Sequence, residues 1–150
     1  MMKIEEVLKT DKFENDYHKA VLNIVYTSNY VNGLLKVPLS KQKVTLQQYN
    51  ILRILRGQYP SPATVNLIKE RLLDHMSDVS RIIDRLVEKQ LVSRKVCPSD
   101  RRAVDICITD KGLALLEKLD PLMSVHSVLD NNLTDEECLQ LNYLLDKLRG

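Results

Sequence analysis

The chain has 150 residues, 44% of them hydrophobic and 28% charged, with a formal net charge of +2, the balance of a folded globular domain. No apolar run approaches the roughly 20 residues that span a bilayer, and the opening MMKIEEVLKTDKFEND is charged throughout, unlike the apolar core of a signal peptide. A cytoplasmic protein is therefore expected. Cys97, Cys107 and Cys138 are odd in number and form no CxxC pair, so neither a disulfide framework nor a zinc site is expected, and no cofactor.

The first long periodic segment covers residues 13–37. Phe13, Tyr17, Ala20, Val21, Ile24, Ser28, Val31 and Leu35 recur at three- and four-residue steps, which predicts a helix with one buried stripe, closed by Pro38. Thr45 and Gln48 form a capping box before LQQYNILRILRG, a second helix that ends at Gly57. TVNLIKERLL reads as a third helix beginning at Ser61 or Thr64, and the short link LDHM leads to a fourth with Ser77 as its N-cap. This fourth helix turns Val79, Ile82, Ile83, Leu86 and Val87 inward and Asp78, Ser80, Arg81, Asp84, Arg85, Glu88 and Lys89 outward.

LVSRKVC then reads as a strand, PSDRR as a turn and AVDICIT as a second strand, in which Val104, Ile106 and Ile108 alternate with Asp105, Cys107 and Thr109. Thr109 caps a fifth helix with Leu113, Leu116, Leu119, Leu122 and Met123 apolar and a bend at Pro121. Thr134 and Glu137 make another capping box, opening a last helix through Leu148. Its leucines, Leu139, Leu141, Leu144, Leu145 and Leu148, wrap more than one face, more than a lone small domain buries, so a partner chain is expected.

Charge is divided unevenly. Residues 1–102 hold 18 Lys+Arg against 11 Asp+Glu, a balance of +7, whereas residues 103–150 hold 4 against 9, a balance of −5. A basic working end is implied. Within it, a helix carrying Arg81 and Arg85 is followed by a hairpin carrying Arg101 and Arg102, which suits a major groove and a neighbouring minor groove of DNA.

From Thr45 to Gly112 the sequence resembles the MarR family of winged-helix transcription regulators. The resemblance rests on SRIIDRL in the recognition helix, LVSRK in the first wing strand, Asp100-Arg101-Arg102 at the wing tip, and ITDKG at the next helix start. It implies a mainly α fold, α+β by its wing, in one domain over residues 1–150: a winged helix-turn-helix DNA-binding lobe at 45–109, flanked by dimerisation helices at 13–37 and 110–150. It further implies a homodimer on a pseudo-palindromic operator of double-stranded DNA, repression rather than activation, and release by a small-molecule effector. By register, Ser77, Asp78, Ser80 and Arg81 fall at the exposed start of the recognition helix. Arg102 falls where an arginine enters the minor groove, and Asp100 where a carboxylate orients it. One departure is Gln90, where the family usually has a glycine in the left-handed conformation.

Each residue has a plainer reading. Arg81 and Arg85 are spaced for intrahelical ion pairs with Asp78, Asp84 and Glu88; beside the wing, Arg81 is expected to read a base, and Arg85 to meet a phosphate or an internal carboxylate. Arg101 and Arg102 also serve to keep a hairpin soluble. Cys97, between Lys95 and Arg101, is a candidate redox thiol, but the inert reading is preferred, since the family's peroxide sensors use a first-helix cysteine that this chain lacks. His18, His75 and His126 are isolated, so neither metal binding nor catalysis is expected. The tyrosines Tyr17, Tyr26, Tyr30, Tyr49, Tyr59 and Tyr143 are assigned to core packing before any ligand pocket. The acidic residues of the recognition helix favour a second class, a winged-helix module that binds protein without reading DNA. An enzyme is not expected, because no nucleophile, base and oxyanion donor can be assembled.

Overall fold

A computed structural model describes residues 2–73, 78–97, 100–123 and 132–150, with backbone alone for 96, 97 and 100–103. The elements in order are α1 (Ile4–Leu8), α2 (Asp16–Lys41), α3 (Leu46–Gln58), α4 (Val65–Arg71), α5 (Val79–Glu88), β1 (Val92–Cys97), β2 (Asp100–Ile108), α6 (Asp110–Leu119) and α7 (Asp135–Arg149). The mainly helical winged-helix architecture is as expected. The short α1, too brief to show a helical period, was not; it anchors through buried Ile4 and a Glu5–Lys19 ion pair to α2.

The capping residues set most helix starts. Thr45, Thr64, Thr109 and Thr134 each accept a hydrogen bond from the backbone N–H three residues on, at 3.1–3.2 Å, and Asn15 does so for α2 at 2.9 Å. Two expected boundaries shift. Pro38 does not close α2, which continues to Lys41. A proline in the last turn removes one intrahelical donor only, and the Ser40 hydroxyl donates to the Val37 carbonyl at 2.8 Å. The helix ends instead where Lys43 takes φ 55°, with Val44 N–H bonded to Leu39 O and Lys43 N–H to Ser40 O, a Schellman closure. Pro121 does not bend α6 but lies beyond its end at Leu119.

The core is centred on α3, whose Ile51, Leu52 and Leu55 are almost completely buried. Ile68 of α4, Ile83 and Leu86 of α5, Ile106 of β2 and Leu116 and Leu119 of α6 close around it. β1 and β2 pair antiparallel from Val92↔Ile108 to Val96↔Val104, with an irregularity between Val96 and Cys97. Ala63, before α4, exchanges two 2.9 Å hydrogen bonds with Ile106 and so adds a one-residue third strand that fixes the hairpin to the helices.

Arg56 of α3 forms a two-pronged ion pair with Asp120 after α6, at 2.7 and 3.1 Å. The Arg56 hydrogen bond is the main cause that holds the Asp120 carboxyl below its ordinary value of 3.8. Because its folded value is depressed, the pair stabilises fully above the unfolded value, and the gain disappears as pH falls through the folded one. Both side chains are more than a third exposed, so the contribution is no more than about 1 kcal/mol. Thermal melts should therefore show Asp120→Asn slightly below the wild type at neutral pH and converging with it below about pH 4; a gap that persists at pH 2 contradicts the ion-pair account.

The expected buried stripe of α2 is not buried within one chain. Of its members Tyr17 is 85% exposed, Val21 54% and Ile24 39%, whereas Phe13, Val31 and Leu35 are half-buried; Val25 and Tyr30, outside the stripe, are exposed too, and α7 has no buried residue. These two helices are amphipathic in the sequence, yet a single chain covers them only in part: Leu39 of α2 enters the core and Leu35 packs against it, while most of the apolar residues of both helices stay exposed.

Candidate nucleic-acid interface

Asp78 caps α5, its carboxylate accepting from Arg81 N–H at 3.2 Å. The expected cap, Ser77, lies outside the described residues. A carboxylate also complements the positive end of the helix dipole. Val79, Ile83 and Leu86 are buried, Ile82 and Val87 half-buried, and Ser80, Arg81, Asp84, Arg85 and Glu88 exposed. The outer face expected from the period is observed except at Lys89, which lies past the helix end and is half-buried, its Nζ bonded to Lys43 O and Gln48 Oε1.

On that face Asp84 is committed to Arg94 of β1, at 2.9 Å. That ion pair ties α5 to the wing, and no local pattern in the sequence signals it because the partners lie on different elements. No ion pair to Arg81 or Arg85 occurs among the described residues. The intrahelical pairs weighed for them are thus not formed there, and both guanidinium groups lie on the exposed face, one turn apart.

The end of α5 is built with care. Gln90 takes φ 61°, Leu91 N–H bonds to Leu86 O at 3.0 Å and Gln90 N–H to Val87 O at 2.8 Å, a second Schellman closure with glutamine where a glycine costs about 1 kcal/mol less. The Thr109 hydroxyl donates to Gln90 O at 2.8 Å while it caps α6, and Lys111 Nζ donates to Lys89 O at 2.9 Å. A side chain on Gly112 would bring its Cβ within 2.3 Å of Leu91 O. The TDKG segment is therefore the clamp that holds α6 against the junction of recognition helix and wing.

The wing strand starts earlier than expected. Asp100, Arg101 and Arg102 belong to β2, with Asp100 paired to Cys97; the Pro98 and Ser99 of the expected turn lie outside the described residues. Of the three only Asp100 has a ladder partner; Arg101 and Arg102 lie within β2 in the irregularity between the Cys97↔Asp100 and Val96↔Val104 pairs. The side chains of Asp100, Arg101, Arg102 and Cys97 are likewise outside the description. Cys107 and Cys138 are free and half-buried. Of the tyrosines, Tyr49 alone belongs to the core among the described residues. No helix among the described residues is long and apolar enough to cross a membrane, and no group of three or more potential metal ligands occurs among them.

A model of the MarR family matches residues 44–104, the span from the end of α2 into β2. The multiple antibiotic resistance protein MarR of Escherichia coli is 33% identical over 117 residues, covering 77% of this chain and 80% of the relative. The transcriptional repressor MdtR of Bacillus subtilis is 32% identical over 111 residues, 73% of this chain and 70% of the relative. Among solved structures, a mutant of Escherichia coli MarR in complex with operator DNA superposes with a TM-score of 0.79 at 29% identity, covering 92% of this chain and 99% of that one.

Proposed function

The chain belongs to the MarR family of transcription regulators, and from that premise we propose that it acts as a homodimeric repressor on a pseudo-palindromic operator and is released by a small-molecule effector. The observation that carries this reading is the face of α5: Arg81 and Arg85 exposed and without an ion pair among the described residues, while Val79, Ile83 and Leu86 bury the opposite side. A helix so presented enters a major groove by its first turns. Ser77, Ser80 and Arg81 would face base edges, with Asp78 beside them as the cap of the helix. Arg85, a turn further from the helix start, would meet a phosphate, as would Arg101. Arg102, oriented by Asp100, would enter the minor groove, where narrow A/T-rich stretches attract arginine.

Two such helices in a symmetric dimer reach half-sites about 34 Å apart, and a ligand that alters their spacing weakens both contacts together. The operator complex of the similar Escherichia coli protein supports the DNA reading. Selection of bound sequences from random DNA by the purified protein is the test. A two-fold-symmetric consensus is expected, whereas no enrichment, with a partner protein retained instead, favours the protein-interaction reading. In gel shifts on that consensus, Arg81→Ala should lose about 1–3 kcal/mol of discrimination at one base pair per half-site. Arg102→Ala should weaken binding across sequences and flatten the salt slope by about 1. Full operator affinity in both variants would overturn these assignments.

A further inference from the structure

We propose that Arg94 is a further DNA-binding residue, a phosphate clamp held in place by Asp84, and that it grips the sugar–phosphate strand passing between α5 and the wing. The proposal deepens the operator-binding role proposed above and rests on it. A major groove and the minor groove beside it are separated by one sugar–phosphate strand. With α5 in the first and the β1–β2 hairpin reaching into the second, that strand passes through the angle between the two elements. Its phosphates then meet whichever side chain spans that angle.

Arg94 spans it. Along β1, Val92 and Arg94 lie on one face and Ser93 and Lys95 on the other. Val92 is buried, and so is Ile106, the ladder partner of Arg94, so this is the face turned toward the core. α5 packs on β1. Going from Val92 toward the tip, Arg94 is the residue at which that face emerges from the core: 38% of its side chain is exposed, and its Nη1 lies 2.9 Å from Asp84 Oδ1. Asp84 stands on the exposed face of α5 that also carries Arg81 and Arg85. The ion pair therefore bridges the two DNA-reading elements on their outer surface, not behind them.

Stability does not account for a carboxylate in that place. An ion pair this exposed contributes little to folding, and a negative charge on a face that approaches DNA repels it. Its effect on the arginine offsets that repulsion. A guanidinium carries five N–H donors in a planar fork, so with Nη1 on Asp84 its remaining donors can bind a phosphate. The rotamer freedom that an untethered arginine loses on binding is here lost already on folding. Among the described residues Arg81, Arg85 and Lys95 form no ion pair, which makes Arg94 the arginine of this surface with a fixed direction.

The test replaces single phosphates of the selected operator by neutral methylphosphonates, one position at a time, and measures the affinity of the full chain and of its Arg94→Gln and Asp84→Asn variants by fluorescence anisotropy. At one position per half-site the wild type should lose about tenfold. Arg94→Gln should bind the unmodified operator more weakly and lose about 0.9 of salt slope per half-site. It should be indifferent to the methylphosphonate at that position and keep the losses at all others. Asp84→Asn separates the clamp from charge alone. Removing a carboxylate from a surface apposed to DNA tightens binding by simple electrostatics and leaves the response at each phosphate unchanged. The clamp instead requires the tenfold loss at the Arg94 position to shrink to about threefold or less, because the arginine has lost its guide. Both substituted residues are exposed, and circular dichroism should show both variants folded. An Arg94→Gln protein that responds to every methylphosphonate as the wild type does overturns the clamp. An undiminished response in Asp84→Asn overturns the part assigned to Asp84. Binding that depends on Arg81 but not on Arg94 defeats the clamp alone, whereas a wild type that binds no DNA defeats the operator-binding role and the clamp with it.

Discussion

Gly112→Ala is expected to destabilise the chain by about 3 kcal/mol, the upper end of overpacking costs. The added Cβ would stand 2.3 Å from Leu91 O and 2.7 Å from Ile108 Cγ1. The first is a backbone oxygen already fixed by the Thr109 N–H at 3.1 Å, and the second a residue paired with Val92 in the wing. Neither can retreat without moving the junction between recognition helix, wing and α6. For a chain of this size the loss corresponds to a fall in Tm of roughly 6–12 °C. Gly57→Ala is the control: it lies inside α3 with nothing within 4 Å of its would-be Cβ, and should gain about 0.5–1 kcal/mol from helix propensity. Differential scanning calorimetry of the two variants decides the matter. A Gly112→Ala protein that melts with the wild type removes the clamp assigned to the TDKG segment.

That clamp also marks the limit of what the sequence discloses. The Thr109 cap and Gly112 were visible as a helix start, because capping is chemistry between residues three apart. The outward face of α5 was visible because the 3.6-residue period is local as well. The reason for the glycine was not, since Leu91 O approaches it across the wing. Lys89 reached Lys43 and Gln48, 46 and 41 residues away, and Asp84 reached Arg94 through the packing of α5 on β1, which no period encodes. Pro38 and Pro121 were over-read in one direction, as a stop where the helix continues and as a bend where it ends. One lost donor near a helix end is cheap, and tertiary partners such as the Asp120–Arg56 pair decide which way the chain goes. The early start of β2 at Asp100 has a similar origin, because the turn chemistry of Pro98, Ser99 and Asp100 marks a reversal without fixing how tightly the strands close on it.

Leu144→Glu/Leu148→Glu in α7 should yield a monomer and cost at least about a thousandfold in operator affinity, leaving only salt-sensitive nonspecific binding. Leu144 is 51% and Leu148 64% exposed in the single chain, near Leu139 at 70% and Tyr143 at 62%. Such leucines and tyrosines on a helix with no buried residue have no stabilising role unless another surface covers them, and each covered leucine contributes about 1.5–3 kcal/mol. Tyr17, Val21 and Val25 of α2, one turn apart, form a second uncovered face, so two long helices per chain remain for a symmetric partner to cover. Placing two carboxylates in that contact sets unpaired charge against apolar surface, which the monomer avoids by leaving them in water. The monomer keeps its winged lobe, because the core around Ile51, Leu52, Ile83 and Leu116 contains nothing from α7. Circular dichroism should therefore show the helices retained, while sedimentation equilibrium shows the mass halved. Loss of operator affinity in a protein that remains dimeric would mean that α7 acts on the DNA-binding lobe by some other route, and full affinity in a proven monomer would mean that one recognition helix suffices.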